Sequence, residues 1–247
     1  MFDRARARDR KQLHVSSLLA AVAGYIDAYS LIWLGLYVSF MSGNTTSFGM
    51  NVGKAHLSAA IAPVAAVLSF VLGSFVSNFA LETRAFDLRR VLIAVVSACL
   101  FAAMAIGTAD GSKLLEIAVL SFGMGLVNPV HARVGTESGG VTFVTGTLNR
   151  LGKNVALAVR GHAIAKAEGS WDNYWRRARI DFQLWSSFAG GAMLSSLITL
   201  YFQELALFPA AVVMLALAVV PTLLTDAVSP EPHRGHGGTQ PLGVNEP

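Results

Sequence analysis

Charged residues are scarce in this sequence. Asp, Glu, Lys and Arg together make up 14% of the 247 residues, whereas soluble domains carry about 25%. Hydrophobic residues reach 53%. This balance argues against an ordinary soluble domain and indicates a protein that resides in a lipid bilayer.

Cysteine and the common catalytic motifs are also nearly absent. Cys99 is the only cysteine, which rules out a disulfide framework and favours a small buried side chain. The sequence holds no H-E-x-x-H and no P-loop pattern. No histidine clusters with a cysteine or an acid inside an apolar run. We therefore expect neither an enzyme nor a bound cofactor or metal.

What the sequence has instead is a set of long apolar runs. They cover residues 14–37, 58–81, 91–108, 114–130, 181–202 and 206–225. Most reach the roughly 20 residues that a helix needs to cross a hydrocarbon core of about 30 Å. The first run is long for a signal peptide, so we interpret it as a retained span. These runs predict an all-α polytopic membrane protein with six transmembrane helices.

The basic residues indicate which way the spans face. Three clusters contain Arg4, Arg6, Arg8, Arg10 and Lys11; Arg84, Arg89 and Arg90; and Lys166, Arg176, Arg177 and Arg179. With six spans, all three clusters fall on one side, which the positive-inside rule assigns to the cytoplasm. We therefore predict a basic cytoplasmic N-terminus (1–13) and a disordered cytoplasmic tail (226–247). The net charge of +4 is explained by this topology, and we expect no nucleic-acid partner.

A polar stretch between the first two runs occurs twice in the chain. "VSFMSGNTTSFGMNV" begins at Val38, and "VTFVTGTLNRLGKNV" begins at Val141. Upstream, "GYID" from Gly24 resembles "GLVN" from Gly125, and downstream "SFVLGS" from Ser69 resembles "SFAGGA" from Ser187. Because the matches keep the same order, we infer an internal duplication with repeats at 14–108 and 114–225.

Three spans in each half place the halves in opposite orientations. Such an inverted 3+3 repeat is a common plan of secondary transporters, whose binding sites lie near the membrane midplane where interrupted helices meet. Interrupted backbone is tolerated at that depth when it is buried in protein or lines a cavity. The two copies of the polar stretch are the candidates for these interruptions.

Each copy predicts a short extended segment followed by a short broken helix. The β-branched and aromatic residues at the start favour an extended conformation, and Gly43 and Gly146 allow a turn or a close backbone approach. Helical spacing then places polar side chains on one face of each short helix. The first polar stripe comprises Asn44, Ser47 and Asn51, with Thr45 beside it, and the second comprises Thr147, Arg150 and Asn154.

The two stripes predict a shared central cavity for a small polar or anionic solute. The free N–H groups at the start of each short helix favour an anion, and Arg150 adds a positive charge. Two alternatives remain open. The stripes can simply hydrogen-bond neighbouring helices, and Arg150 can extend to the cytoplasmic surface.

Asp27 is predicted to be the only acidic residue deep within an apolar run. A charge there costs at least ~2.5 kcal/mol on insertion scales, so an acid inside a membrane span suggests a function. Its small neighbours indicate that this face packs on protein. Asn128 occupies the matching position in the second half. We hypothesise that Asp27 carries a coupling proton and that Asn128 is its neutral counterpart; the alternative is a hydrogen-bonded packing residue.

The residues "GYIDAYSLIWLGLYVSFMSGNTTSFGM" and the later "VTGTLNRLG" resemble the YoaK-like bacterial membrane proteins, domain of unknown function 1275. The resemblance covers nearly the whole chain outside the two tails. It implies a six-span protein of the bacterial inner membrane and brings no settled substrate.

The function favoured by these features is a secondary transporter that is coupled to protons. A channel would share the polar midplane but would conduct without saturating. A structural or assembly protein would tolerate replacement of Asp27 and of the stripes. Small residues at Gly73, Ser77, Gly191 and Ser195 provide close helix-packing sites, and a homodimer face is one hypothesis for them.

Overall fold

A computed structural model describes residues 2–82, 88–109, 111–130, 144–164 and 171–220. Within these ranges every regular element is helical and none is a strand, which confirms the all-α prediction. In chain order the α-helices are α1 (Phe2–Leu34), α2 (Met41–Gly53), α3 (Leu57–Glu82), α4 (Leu88–Thr108), α5 (Lys113–Val130), α6 (Val144–Val159), α7 (Tyr174–Phe202) and α8 (Phe208–Val219). A 3-10 helix, Gln203–Leu207, joins α7 to α8.

Helix boundaries follow local backbone chemistry. The segment predicted as a basic N-terminus is the start of α1, which runs from Phe2 without a break. It ends at Leu34 because Gly35 has φ 79°, a left-handed conformation that glycine adopts readily. At the other end of the chain, Gln203 has φ 48° and interrupts the helical path between α7 and α8.

Within the described ranges, five segments are long and apolar enough to cross a membrane. The first four are Arg10–Leu34, Leu57–Glu82, Leu88–Thr108 and Lys113–Val130. The last is a stretch of 46 residues, Tyr174–Val219, and it contains the predicted fifth run and most of the sixth. The rest of the sixth run and the predicted tail at 226–247 lie outside the described residues.

Side-chain contacts fix the directions of several helices. Ser17 accepts a hydrogen bond from Gln183, and Tyr25 donates one to the carbonyl of Ala206, so α1 and α7 run in the same direction. Tyr29 and Glu116 join the end of α1 to the start of α5, which makes these two helices antiparallel.

The second matching pair, α4 and α8, is also antiparallel. The hydroxyl of Ser97 donates to the carbonyl of Ala211, and the ring of Phe101 packs against the ring of Phe208.

Helix α4 is antiparallel to α5 and so follows the direction of α1. Gly123 of α5 lies against Cys99 of α4, and Gly107 of α4 lies near Glu116 of α5. The starts of the candidate spans in α1, α4 and α7 therefore lie at one end of the bundle. Basic residues at or near these starts share this end: Arg10, Lys11, Arg89, Arg90, Arg176, Arg177 and Arg179.

Glycine allows two pairs of helices to cross in backbone contact. A Cβ atom on Gly24 of α1 would overlap the carbonyl of Phe188 on α7, and one on Gly191 would overlap the carbonyl of Ala21. The same arrangement recurs between α3 and α5. There, Gly125 meets the carbonyl of Phe70 and Gly73 meets that of Phe122.

These crossings use residues that the sequence suggested for a homodimer face. Gly73 and Gly191 lie against α5 and α1 of the same chain, and Ser77 and Ser195 are completely buried. The prediction of close helix packing is therefore confirmed, and these four residues serve packing inside one chain. A homodimer stays a prediction, and its interface would have to be formed by other residues.

The apolar core is built mainly from α1, α4, α5 and α8. The short helix α2 packs on α3, and α6 packs on α7. Each short helix therefore lies beside one long helix of a glycine crossing, α2 beside α3 and α6 beside α7. This placement positions the candidate site.

Candidate functional site

Asp27 holds the chain segment that leads into α2. Its Oδ1 accepts the backbone N–H groups of Val38 and Ser39, at 3.2 and 2.8 Å, and its Oδ2 accepts the hydroxyl of Ser39 at 2.5 Å. The side chain is 4% exposed. At 1.5 Å per residue, Asp27 lies about 10 Å from the end of α1 at Leu34. The start of α2 is therefore fixed part-way along the bundle rather than at its end.

Asn44 secures the same connection from the other side. Its side-chain amide is buried and donates to the carbonyl of Tyr37 at 2.7 Å. The backbone at Val38–Phe40 is neither helical nor part of a sheet. The matching residues 141–143 lie outside the described residues. The predicted extended segment is thus a short irregular connection in the first half.

The predicted glycine turns are wrong. Gly43 lies within α2, and Gly146 lies within α6. Close approach is correct for Gly43, because a Cβ there would overlap the ring of Phe40. Helix formation extends through both glycines because the short helices pack on α3 and α7, and such packing overrides the weak helix propensity of a single glycine.

The first polar stripe contacts α3. Asn51 donates its side-chain amide to the carbonyl of Ser47 at 2.9 Å and to the carbonyl of Ala59 at 3.4 Å. Pro63 lies within α3 and has no N–H, so the carbonyl of Ala59 lacks its usual helical donor. Asn51 supplies the replacement. Thr45 is exposed and donates to the carbonyl of Met41 within α2.

The second polar stripe converges on an acid that the sequence reading missed. Asp181 of α7 is 2% exposed. Its Oδ1 accepts Nε of Arg150 at 3.1 Å, and its Oδ2 accepts Nδ2 of Asn154 at 2.9 Å. Arg150 also donates from Nη2 to the hydroxyl of Thr147 at 3.1 Å. All three predicted residues of this stripe therefore meet around one carboxylate.

Both stripes point toward the long helix beside them. When Ser69–Ser74 is matched with Ser187–Ala192, Pro63 falls at the position of Asp181.

On α3 the acceptor for Asn51 is therefore the backbone carbonyl of Ala59, which has no helical donor. On α7 the acceptor for Asn154 is the carboxylate of Asp181. Asn51 of the first stripe therefore bonds to α3, and Arg150 and Asn154 of the second bond to α7. The binding of a solute by the stripes stays a prediction.

Arg150 forms an ion pair that the sequence did not predict. It joins a side chain that is 22% exposed to the carboxylate of Asp181, which is 3% exposed. A guanidinium held by a carboxylate balances its charge locally, so the charge that favoured an anion is partly neutralised. Contact of Arg150 with a solute stays a prediction.

Asp27 is accompanied by a second buried acid nearby. Glu116 of α5 is 1% exposed, and its Oε1 accepts the hydroxyl of Tyr29 at 2.7 Å. Both Glu116 and Asp181 lie near the start of an apolar run. Neither residue was singled out from the sequence, and the bundle buries both. The matching partner of Asp27, Asn128, is half-buried on α5.

Comparison with known proteins gives the family. Residues 15–220 match a family described as "Protein of unknown function (DUF1275)". The chain belongs to this family. No match was found among curated proteins or among solved structures.

The DUF1275 assignment agrees with the resemblance drawn from the two polar stretches. The matched region contains both stretches and all eight α-helices of the described chain, apart from the start of α1. The protein is a helical, apolar member of the family with five candidate membrane spans. Among the described residues, no three His, Cys, Asp or Glu side chains are grouped so as to hold a metal ion.

Proposed function

We propose that this DUF1275 protein is a secondary transporter for a small polar or anionic solute, coupled to protons. In this proposal it lies in the bacterial inner membrane with both termini in the cytoplasm. The observation that carries the proposal is the repeated placement of a short polar helix, α2 or α6, against a long helix that makes a glycine crossing. Transporters built from inverted repeats use interrupted helices of this kind to form the binding site.

An inverted repeat of six spans is supported by the directions of the helices. The matching helices α1 and α5 are antiparallel, and so are α4 and α8. The 46-residue segment Tyr174–Val219 is long enough for two crossings, because a helix needs about 20 residues for one. The turn at Gln203, with φ 48°, separates these two proposed crossings.

The end of the bundle with the basic residues is the proposed cytoplasmic end. Seven Lys and Arg side chains lie at or near the starts of the candidate spans in α1, α4 and α7 there, and the positive-inside rule assigns such a bias to the cytoplasm. Lys113 begins α5 at the opposite end, where it lies 5.6 Å from the ring centre of Trp33.

The chemistry of the stripes suggests the class of solute. Amide, hydroxyl and guanidinium groups dominate both stripes, and one carboxylate, Asp181, balances Arg150. This combination suits a small solute with several hydrogen-bonding groups. An anion has to compete with Asp181 for Arg150, so neutral polar and zwitterionic solutes are favoured within the proposed class.

The test is transport by the purified protein in liposomes. Acetate, phosphate, sulfate, glycine, urea and glycerol represent anionic, zwitterionic and neutral polar solutes. Solutes that raise the midpoint of thermal unfolding are then measured for uptake with and without an inward proton gradient. We expect one class to show saturable uptake that the gradient accelerates.

Two outcomes contradict the proposal. Flux that rises linearly with concentration, together with an electrical conductance, identifies a channel. Uptake that never exceeds that of protein-free liposomes for any of the six solutes leaves a structural or assembly role as the better account.

A further inference from the structure

The described chain contains three fully buried carboxyl groups in its candidate spans, and they differ in how they are supported. Asp27 accepts three hydrogen bonds, two of them from backbone N–H groups. Asp181 accepts a guanidinium and an amide. Among the described residues, Glu116 has a single hydrogen bond, from the phenol of Tyr29 at 2.7 Å.

These differences decide which group can be neutral. A carboxylate removed from water is stabilised by donors and by positive charge, and without them the neutral acid is favoured. Two backbone N–H groups and a hydroxyl stabilise the charged form of Asp27, whereas a single phenol stabilises that of Glu116. The phenol can donate to either form of the Glu116 carboxyl. Glu116 is therefore the buried carboxyl whose charged form has the fewest donors, and the one that burial shifts most readily to the neutral acid.

Burial, rather than neighbouring charge, favours a neutral Glu116. Its partner Tyr29 on α1 is completely buried. Among the charged residues that act on the Glu116 carboxyl, Glu204 of the 3-10 helix disfavours its charged form and Lys113 on α5 favours it. Both acidic side chains pack against α4 at Gly107, which has no side chain. A Cβ atom there would lie 2.8 Å from Cγ of Glu204 and 3.5 Å from Oε2 of Glu116.

The position of Glu116 also suits proton exchange with water. It lies in the first turn of α5, about 5 Å along the helix from Lys113 at 1.5 Å per residue. This is the end of the bundle opposite to the basic residues. The pair with Tyr29 joins α5 to α1, so a change in its charge acts directly on the contact between matching helices of the two halves.

We propose that Glu116, hydrogen-bonded to Tyr29, is the residue that binds and releases the coupling proton, and that Asp27 is a permanent carboxylate that anchors the start of α2. On release, the proton leaves the Glu116 carboxyl for water at the end of the bundle away from the basic residues. The carboxylate then keeps its hydrogen bond from Tyr29. The coupling role rests on the proposed transport function, whereas the protonation of Glu116 does not.

The first experiment therefore requires no solute. Infrared difference spectra of the protein in lipid, recorded during a pH titration, report the carbonyl band of protonated carboxylic acids. We expect a band at neutral pH that disappears in Glu116→Gln, shifts in Tyr29→Phe and is unchanged in Asp27→Asn. A band that persists in Glu116→Gln, or one that disappears in Asp27→Asn, overturns the assignment.

The second experiment tests coupling with the solute found in the liposome screen. Glu116→Gln is expected to abolish the acceleration by a proton gradient while solute exchange at equal pH continues. Asp27→Asn is expected to keep the acceleration. Tyr29→Phe is expected to shift the pH at which uptake is half-maximal, which a purely structural role would leave in place. Continued acceleration in Glu116→Gln overturns the coupling role. A wild-type protein with the infrared band and without uptake refutes the transport function alone.

Discussion

Asn51 and Asn154 occupy matching positions of α2 and α6, and each donates its side-chain amide to the long helix beside it. Asn51 reaches the carbonyl of Ala59 at 3.4 Å, and Asn154 reaches Oδ2 of Asp181 at 2.9 Å. The duplication has thus kept the donor and changed the acceptor. In one half the acceptor is a carbonyl that Pro63 has deprived of its helical donor, and in the other it is a charged side chain.

The acceptor in the first half predicts an energetic link between Asn51 and Pro63. Asn51→Ala should lower the free energy of unfolding by about 0.6–1 kcal/mol, the usual size of a hydrogen bond between membrane helices. In a Pro63→Ala background the cost should be smaller, because residue 63 then donates its own N–H to Ala59. Unfolding of the four proteins of this cycle in detergent measures the difference.

Thr46→Ala is the matched control for this cycle. Thr46 is exposed on the same helix, and its hydroxyl donates within α2 to the carbonyl of Ser42. Its replacement should cost the same in both backgrounds. An equal cost of Asn51→Ala in both backgrounds would show that Ala59 does not depend on Asn51.

The ion pair of the second half predicts a larger effect. Arg150→Ala should destabilise the protein, because it leaves the buried carboxylate of Asp181 without its partner. We expect about 3 kcal/mol, the low end for a buried pair, since the Arg150 side chain is still 22% exposed. The double variant Arg150→Ala/Asp181→Asn should recover part of this loss, since no uncompensated carboxylate remains. Lys153→Ala removes a charge from an exposed position on the same helix and should be neutral. If the double variant is as unstable as the sum of the single variants, the pair is not coupled.

Two adjacent glycines test the helix crossing. Gly191→Ala should destabilise the protein by about 1–3 kcal/mol, because its Cβ overlaps the carbonyl of Ala21. Gly190→Ala meets no atom within 4 Å, and it should be neutral or stabilising by up to about 1 kcal/mol. The order of the two unfolding midpoints checks the packing of α1 on α7. Equal midpoints would mean that the two helices do not touch at Gly191.

The anchor formed by Asp27 predicts different outcomes for two replacements of the same residue. Asp27→Ala leaves the N–H groups of Val38 and Ser39 without an acceptor and should cost about 2–6 kcal/mol, since each of the two unsatisfied groups costs about 1–3 kcal/mol. Asp27→Asn keeps one acceptor oxygen and should retain most of the stability. Glu82→Gln changes an exposed acid and serves as the control. Equal losses for the alanine and asparagine variants would argue against an anchoring role.

Periodicity and repetition were sufficient to predict the helices and the residues that make up the two polar stripes. Thr147, Arg150 and Asn154 meet because helical spacing determines which side chains share a face. The acceptors were not predictable in the same way. Asp181 and the carbonyl of Ala59 belong to other helices, and no local pattern states which helix packs on which.

Two further errors have the same physical origin. Gly43 and Gly146 looked like turns because glycine is a weak helix former, but packing on α3 and α7 outweighs a cost of about 1 kcal/mol. Glu116 was not singled out from the sequence, because no local pattern marks it as buried. Its burial depends on Tyr29, a distant residue on α1, and only the tertiary arrangement brings the two together.

The claim that the two stripes hold a transported solute is tested most directly by the concentration dependence of uptake in proteoliposomes. The solute is the best member of the liposome panel, and the variants are Asn51→Ala and Asn154→Ala with Thr46→Ala and Lys153→Ala as controls. We predict saturable uptake in which both asparagine variants raise the half-saturating concentration at least about tenfold, equivalent to 1.4 kcal/mol, while the controls keep the wild-type value. Half-saturating concentrations that are the same in all five proteins would contradict the account.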